Sequence, residues 1–172
     1  IGIAFNNIGE KATAVQYFSR ALTIEENNHR EEKQANLYNS MAQVYHSLGD
    51  QSNAMTCLMK GLELGKKIYG PYHVYVARLY QTMSSMSCDF KMYDEAVEFS
   101  RYSIDIYEHY YGAESIECAT LYNNHALLLE LSGRKEEALE WLCKSCQLRE
   151  KFLGGNHPDT ANSYNNLASI HI

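Results

Sequence analysis

The 172-residue chain repeats itself every 42 positions, and that period constrains its fold more than any single motif it contains. Gly70, Gly112 and Gly154 share one register, Ala35, Ala77, Ala119 and Ala161 a second, and Tyr38, Tyr80, Tyr122 and Tyr164 a third. The residues after each tyrosine repeat too: Asn39-Ser40-Met41-Ala42, Gln81-Thr82-Met83-Ser84, Asn123-Asn124-His125-Ala126 and Asn165-Asn166-Leu167-Ala168. Ala54, Ala96 and Ala138 mark a second apolar stretch in each unit. Both stretches carry apolar residues at helical spacing, as in Tyr122, Ala126, Leu129 and then Ala138, Leu142, Cys146. Gly133 closes the first of these helices, as Gly9 and Gly49 do earlier, because glycine enters the left-handed conformation without a Cβ penalty. Lys91 stands in the equivalent turn, where a side chain must accept strain or a different turn. His157-Pro158-Asp159 opens the last helix, with a proline whose missing N–H is not needed there and an acid near the positive helix end. Each unit is therefore a helix–turn–helix hairpin.

The order aromatic, apolar, small, aromatic, then alanine, apolar and small resembles the tetratricopeptide repeat. It reads Tyr38, Met41, Ala42, Tyr45, Ala54, Leu58, Gly61 in one unit and Tyr122, His125, Ala126, Leu129, Ala138, Leu142, Ser145 in another. The first unit supplies Ile1, Gly2, Phe5, Gly9, Ala14, Phe18 and Ala21. A tetratricopeptide unit has about 34 residues, and the surplus here falls between one hairpin and the next. That longer form resembles the kinesin light chain repeat, most closely in Leu148-Arg149-Glu150-Lys151-Phe152-Leu153-Gly154 and the following His157-Pro158-Asp159-Thr160-Ala161. Ser115, Ile116, Val74 and Lys91 depart from that wording. The resemblance implies an all-α, right-handed superhelical solenoid in units 1–27, 28–69, 70–111, 112–153 and 154–172, the outer two partial, cut from a longer chain. It also implies a protein-interaction module of adaptor or scaffold type that binds an extended peptide or helix in its concave groove.

On helical spacing the groove wall carries Asn36, Asn39, Ser40 and Gln43, then Arg78, Gln81, Thr82 and Ser85, then Thr120, Asn123 and Asn124, then Asn162, Asn165 and Asn166. Asparagine is a mediocre helix former, so two side by side in mid-helix sacrifice propensity that alanine would keep. An amide both donates and accepts, which suits the alternating N–H and C=O of an extended peptide. The family resemblance implies that role for Asn124 and Asn166. Arg78 is the strong cation of this wall, too few to clamp a terminal carboxylate, so the wall reads as close to neutral. The repeated tyrosines are expected in the core. Tyr69, Tyr72, Tyr75, Tyr107, Tyr110 and Tyr111 crowd the linkers between units, as packing or as a second contact surface. Glu136, Glu137, Glu140 and Lys144 read as a solvated outer face.

A formal charge of −6 argues against nucleic acid and anionic lipid as partners, and no stretch has the roughly 20 apolar residues of a membrane span. Five cysteines without a paired framework point to a reducing, cytoplasmic compartment. Cys143 and Cys146 form one C-x-x-C without the second pair of a structural zinc site, and both are expected to pack as small apolar side chains. No phosphate loop, zinc-protease helix or nucleophile elbow occurs, and neither a cofactor nor a metal is implied. His125, at a normally apolar position, is expected to be a hydrogen-bonded core residue. Two alternatives stand beside the scaffold: an arm of a larger enzyme or signalling NTPase, and a peptide-sensing regulator. The apolar residues Tyr164, Leu167, Ala168 and Ile170 are expected to lack a partner helix, so that the chain either self-associates through that end or frays there.

Overall fold

The computed structural model describes residues 10–170, so the expectations for Ile1, Gly2, Phe5 and Gly9 lie outside the described residues. Eight helices occupy this range: α1 (Lys11–Asn27), α2 (Glu31–Ser47), α3 (Gln51–Tyr69), α4 (Val74–Asp89), α5 (Tyr93–Tyr111), α6 (Ile116–Leu131), α7 (Lys135–Leu153) and α8 (Pro158–Ile170). No strand occurs among the described residues, and the chain is an all-α helical repeat of the solenoid class. It divides into two compact units at Leu79/Tyr80, within α4.

Helix ends follow the local chemistry. Gly70, Gly112 and Gly154 end α3, α5 and α7 at φ between 86° and 88°. At the turn after α6, Gly133 N–H donates to Glu130 O and Arg134 N–H to Leu129 O. The Lys91 turn has the same paired bonds, with Lys91 N–H donating to Cys88 O and Met92 N–H to Ser87 O, at a Lys91 φ of 62°. The lysine therefore keeps the glycine turn and accepts its strain. His157 accepts the Asp159 N–H on Nδ1, and His73 does the same for Tyr75 at the start of α4.

In the first unit Ala35, Tyr38, Met41, Ala42 and Val44 of α2 pack in a core with Ala54, Cys57 and Leu58 of α3. Gly65 is close-packed: a Cβ there would come within 2.9 Å of the Tyr75 ring, whose hydroxyl donates to Asn36 Oδ1. In the second unit, Val97, Ala126, Leu129, Ala138, Leu142 and Ile170 form one cluster, and Ile104, Cys118, Ala119, Tyr122 and Leu148 another. Trp141 packs against both.

Three expectations need correction. Tyr38 and Tyr122 are buried, but Tyr164 is 42% exposed, because no described helix follows α8 to cover it as α7 covers Tyr122. Conversely, Ile170 is buried and Leu167 packs beside it on the α5–α7 cluster, so only Tyr164 and Ala168 remain of the expected unpartnered face. Cys146 is buried in line with Ala138 and Leu142, whereas Cys143 is exposed because it shares the face of Glu136, Glu140 and Gln147.

Candidate functional site: the groove between α4 and α6

Within the second unit, α4 and α6 flank a groove of about 710 Å³ whose floor is α5. Four residues expected on the wall line it: Gln81, Ser85, Thr120 and Asn124. The floor is Ser100, Ser103 and Tyr107, the α4 side adds Ser84, Cys88 and Asp89, and the α6 side adds Glu117, Leu121, Leu127, Leu128 and Leu131.

Register explains why the space exists. Leu58, Ser100 and Leu142 are equivalent positions 42 apart, so the middle repeat has lost a leucine. A buried serine in mid-helix needs a partner, and His125 supplies one: its Nδ1 lies 3.1 Å from Ser100 Oγ. Burial first, then Arg101 and Arg134, lower the His125 pKa to about 4, so the ring is neutral at physiological pH. The expectation of a hydrogen-bonded core histidine holds. Ser84 Oγ donates to Ala96 O at 2.7 Å, whereas the buried hydroxyl of Ser103 has no hydrogen-bond partner.

The other expected wall residues are placed differently. Asn123 is buried, accepting from Asn166 Nδ2 at 2.8 Å and lying 3.5 Å from Asn124 Oδ1 as a donor. The three amides form a chain between α6 and α8, and Asn123 faces protein rather than an open wall. Asn162 and Asn165 are exposed on α8. Thr82 is half-buried on α4 and Arg78 exposed. In the first unit Asn36 accepts from Tyr75, Ser40 donates back to Asn36 O, Gln43 is exposed, and the half-buried Asn39 keeps an unpartnered Oδ1.

Two features went unread in the sequence. Arg149 is buried, and its guanidinium donates to Asp159 O at 2.9 Å, Ser163 Oγ at 2.7 Å and Thr120 Oγ1 at 3.4 Å, tying α6 to α8. Arg78 is thus not the sole strong cation beside the expected wall. The groove itself is acidic rather than neutral, since Asp89 and Glu117 are its charged lining residues. The 42-residue register would have flagged both Ser100 and Arg149 as departures from Leu58 and Gly65.

The aromatic linkers are mixed. Tyr69 stacks on His73 at 4.9 Å and Tyr107 lies 5.5 Å from Tyr111, while Tyr72 and Tyr110 are exposed. Glu136, Glu137, Glu140 and Lys144 are all exposed, as a solvated outer face should be.

The sequence profile of the tetratricopeptide repeat matches residues 33–108 and 76–151, more than half of the chain. The chain belongs to the tetratricopeptide repeat family. This fold is generally a non-catalytic interaction module, and the protein is a protein-interaction scaffold in that sense. No curated relative matches it in sequence. Among solved structures, a kinesin light chain-type protein of nearly identical tetratricopeptide-like repeats from Podospora anserina is similar at 19% identity and TM-score 0.81, covering 99% of this chain and 82% of that one. BtubC (BKLC) from P. vanneervenii is 19% identical at TM-score 0.69, over 95% of this chain and 64% of its own. The apo form of RapI is 16% identical at TM-score 0.82, and this tetratricopeptide chain spans 46% of its length. These likenesses establish the fold. No helix among the described residues is long and apolar enough to cross a membrane.

Proposed function

We propose that the chain is one tetratricopeptide array, in the five units named from the sequence, whose α4–α6 groove holds an extended peptide of a partner protein. The observation that carries this reading is the convergence of Gln81, Ser85, Thr120 and Asn124 on one groove of about 710 Å³ with a leucine-lined side. Ligand sites are concave and mostly apolar, with a few placed polar groups, and this groove has that constitution. The half-buried Gln81 and the exposed Asn124 supply both donors and acceptors for a main chain, and Leu121, Leu127 and Leu128 offer surface for its side chains. The 42-residue repeat supports an adaptor role resembling that of kinesin light chain, and five unpaired thiols support a cytoplasmic setting. The test is recovery of partner proteins by the wild-type chain and by Gln81→Ala/Asn124→Ala, whose polar side chains are not in the core. Reduced recovery with an unchanged circular dichroism spectrum is expected. Equal recovery sinks the assignment of the groove.

A further inference from the structure

The composition of the groove narrows its occupant further than its shape does, a step that rests on the groove being the binding site. Its lining includes two carboxylates, Asp89 in the last turn of α4 and Glu117 in the first turn of α6, and no lysine or arginine. Ser103 lines the floor at 1% exposure, with a hydroxyl that makes no hydrogen bond. Its neighbour Ile104 packs on Cys118, Ala119 and Tyr122, which sets this turn of α5 beside the turn of α6 that follows Glu117. Leu121, one helical turn beyond Glu117, supplies apolar surface at the same end. A carboxylate, an unsatisfied hydroxyl and a leucine side chain together match one kind of side chain, an aliphatic stem ending in a cation.

We propose that the α4–α6 groove selects peptides carrying a basic residue, whose stem lies on Leu121 and whose cationic head meets Glu117 and Ser103. An acidic peptide would bring its carboxylates against Glu117, in a groove whose lining includes no lysine or arginine. The serine at 103 has a reason in this arrangement. Its counterpart Ser145 donates to Ala119 O at 2.7 Å, whereas the Ser103 hydroxyl makes no such bond. The net charge of −6 adds a long-range bias toward the same partners.

The test uses the full chain to select from a random dodecapeptide phage library, followed by fluorescence anisotropy of the selected peptides. Enrichment in lysine or arginine is expected. Replacing the key basic residue by norleucine should weaken binding to the wild-type chain about fivefold, and Glu117→Gln should abolish most of that difference. Ser103→Ala should weaken the basic peptide by about two- to threefold without lowering Tm, which separates loss of a contact from loss of fold. Selected peptides that respond to Asn124→Ala but show no basic enrichment, or an equal norleucine effect in Glu117→Gln, would overturn the charge selectivity and leave the groove reading standing. Peptides indifferent to Asn124→Ala would overturn both.

Discussion

Two neighbouring floors in the second unit occupy the same repeat register and are built to opposite ends. Beneath α4 and α6 the floor is Ser100, Ser103 and Tyr107; beneath α6 and α8 the equivalent residues are Leu142, Ser145 and Arg149. In the second, Leu142 fills the core, Ser145 is satisfied by Ala119 O, and Arg149 reaches Thr120, Ser163 and Asp159 O. In the first, two small side chains leave a groove and one hydroxyl is unsatisfied. The first unit closes its own version differently, with the Tyr75 ring over Gly65. A repeat thus fixes where a groove can form, while single residues decide whether the protein keeps it open or fills it.

The largest expected effect concerns the Ser100–His125 pair that replaces the leucine. Its folded pKa lies near 4, below the ordinary 6.5, because burial and the cations Arg101 and Arg134 oppose protonation, with Glu137 acting weakly the other way. The unfolded chain therefore binds the extra proton between these values. Stability contributed by neutral His125 is complete above about pH 6.5 and falls away toward pH 4, by about 3 kcal/mol in total. Urea titrations across this window should show the slope, and Ser100→Leu/His125→Leu should remove it. An equal slope in the double variant would assign it to other groups.

Arg149→Ala comes next, with an expected loss of about 2 kcal/mol, since two good charge-assisted bonds and the packed stem disappear while Ser163 is left buried. Unchanged stability would mean that those bonds only offset the desolvation of the guanidinium, and the closed floor would then owe nothing to its arginine. Ser103→Ala should stabilise by about 1 kcal/mol, because it removes a buried hydroxyl that has no partner. A loss instead would show that the hydroxyl is satisfied in solution, and the contrast with Ser145 would vanish. Lys91→Gly, in the turn that leads from α4 to the open floor, should raise stability by about 0.5–1 kcal/mol through relief of a positive φ. Thermal melts at neutral pH read these last two.

The hairpins and their caps were legible in the sequence because the repeat states each position several times: Gly49 and Gly133 showed what Lys91 must imitate, and it does. Four wall residues in the groove were legible by the same spacing. Its depth was not, since that depends on which side chains are absent from the floor, and helical periodicity counts those that are present. Nor was Asn123's burial, because an amide spaced for a solvent face looks identical when a second amide, Asn166, reaches over to it. Tyr164 misled for the converse reason: its sequence position is that of a core tyrosine, but burial requires a following helix.

The sequence contains one tryptophan, and its setting makes it an optical witness for half of the molecule. Trp141 lies 5.1 Å from the Tyr122 ring and 4.9 Å from the His125 ring, with Arg101 and Lys144 above it at 5.0 and 4.3 Å. Its emission therefore senses α5, α6 and α7 together and originates wholly in the second unit. Helical ellipticity sums over both units. Melting curves followed by the two signals coincide only when the chain unfolds as one cooperative body, so a gap between them would measure how independently the half that carries the groove can open.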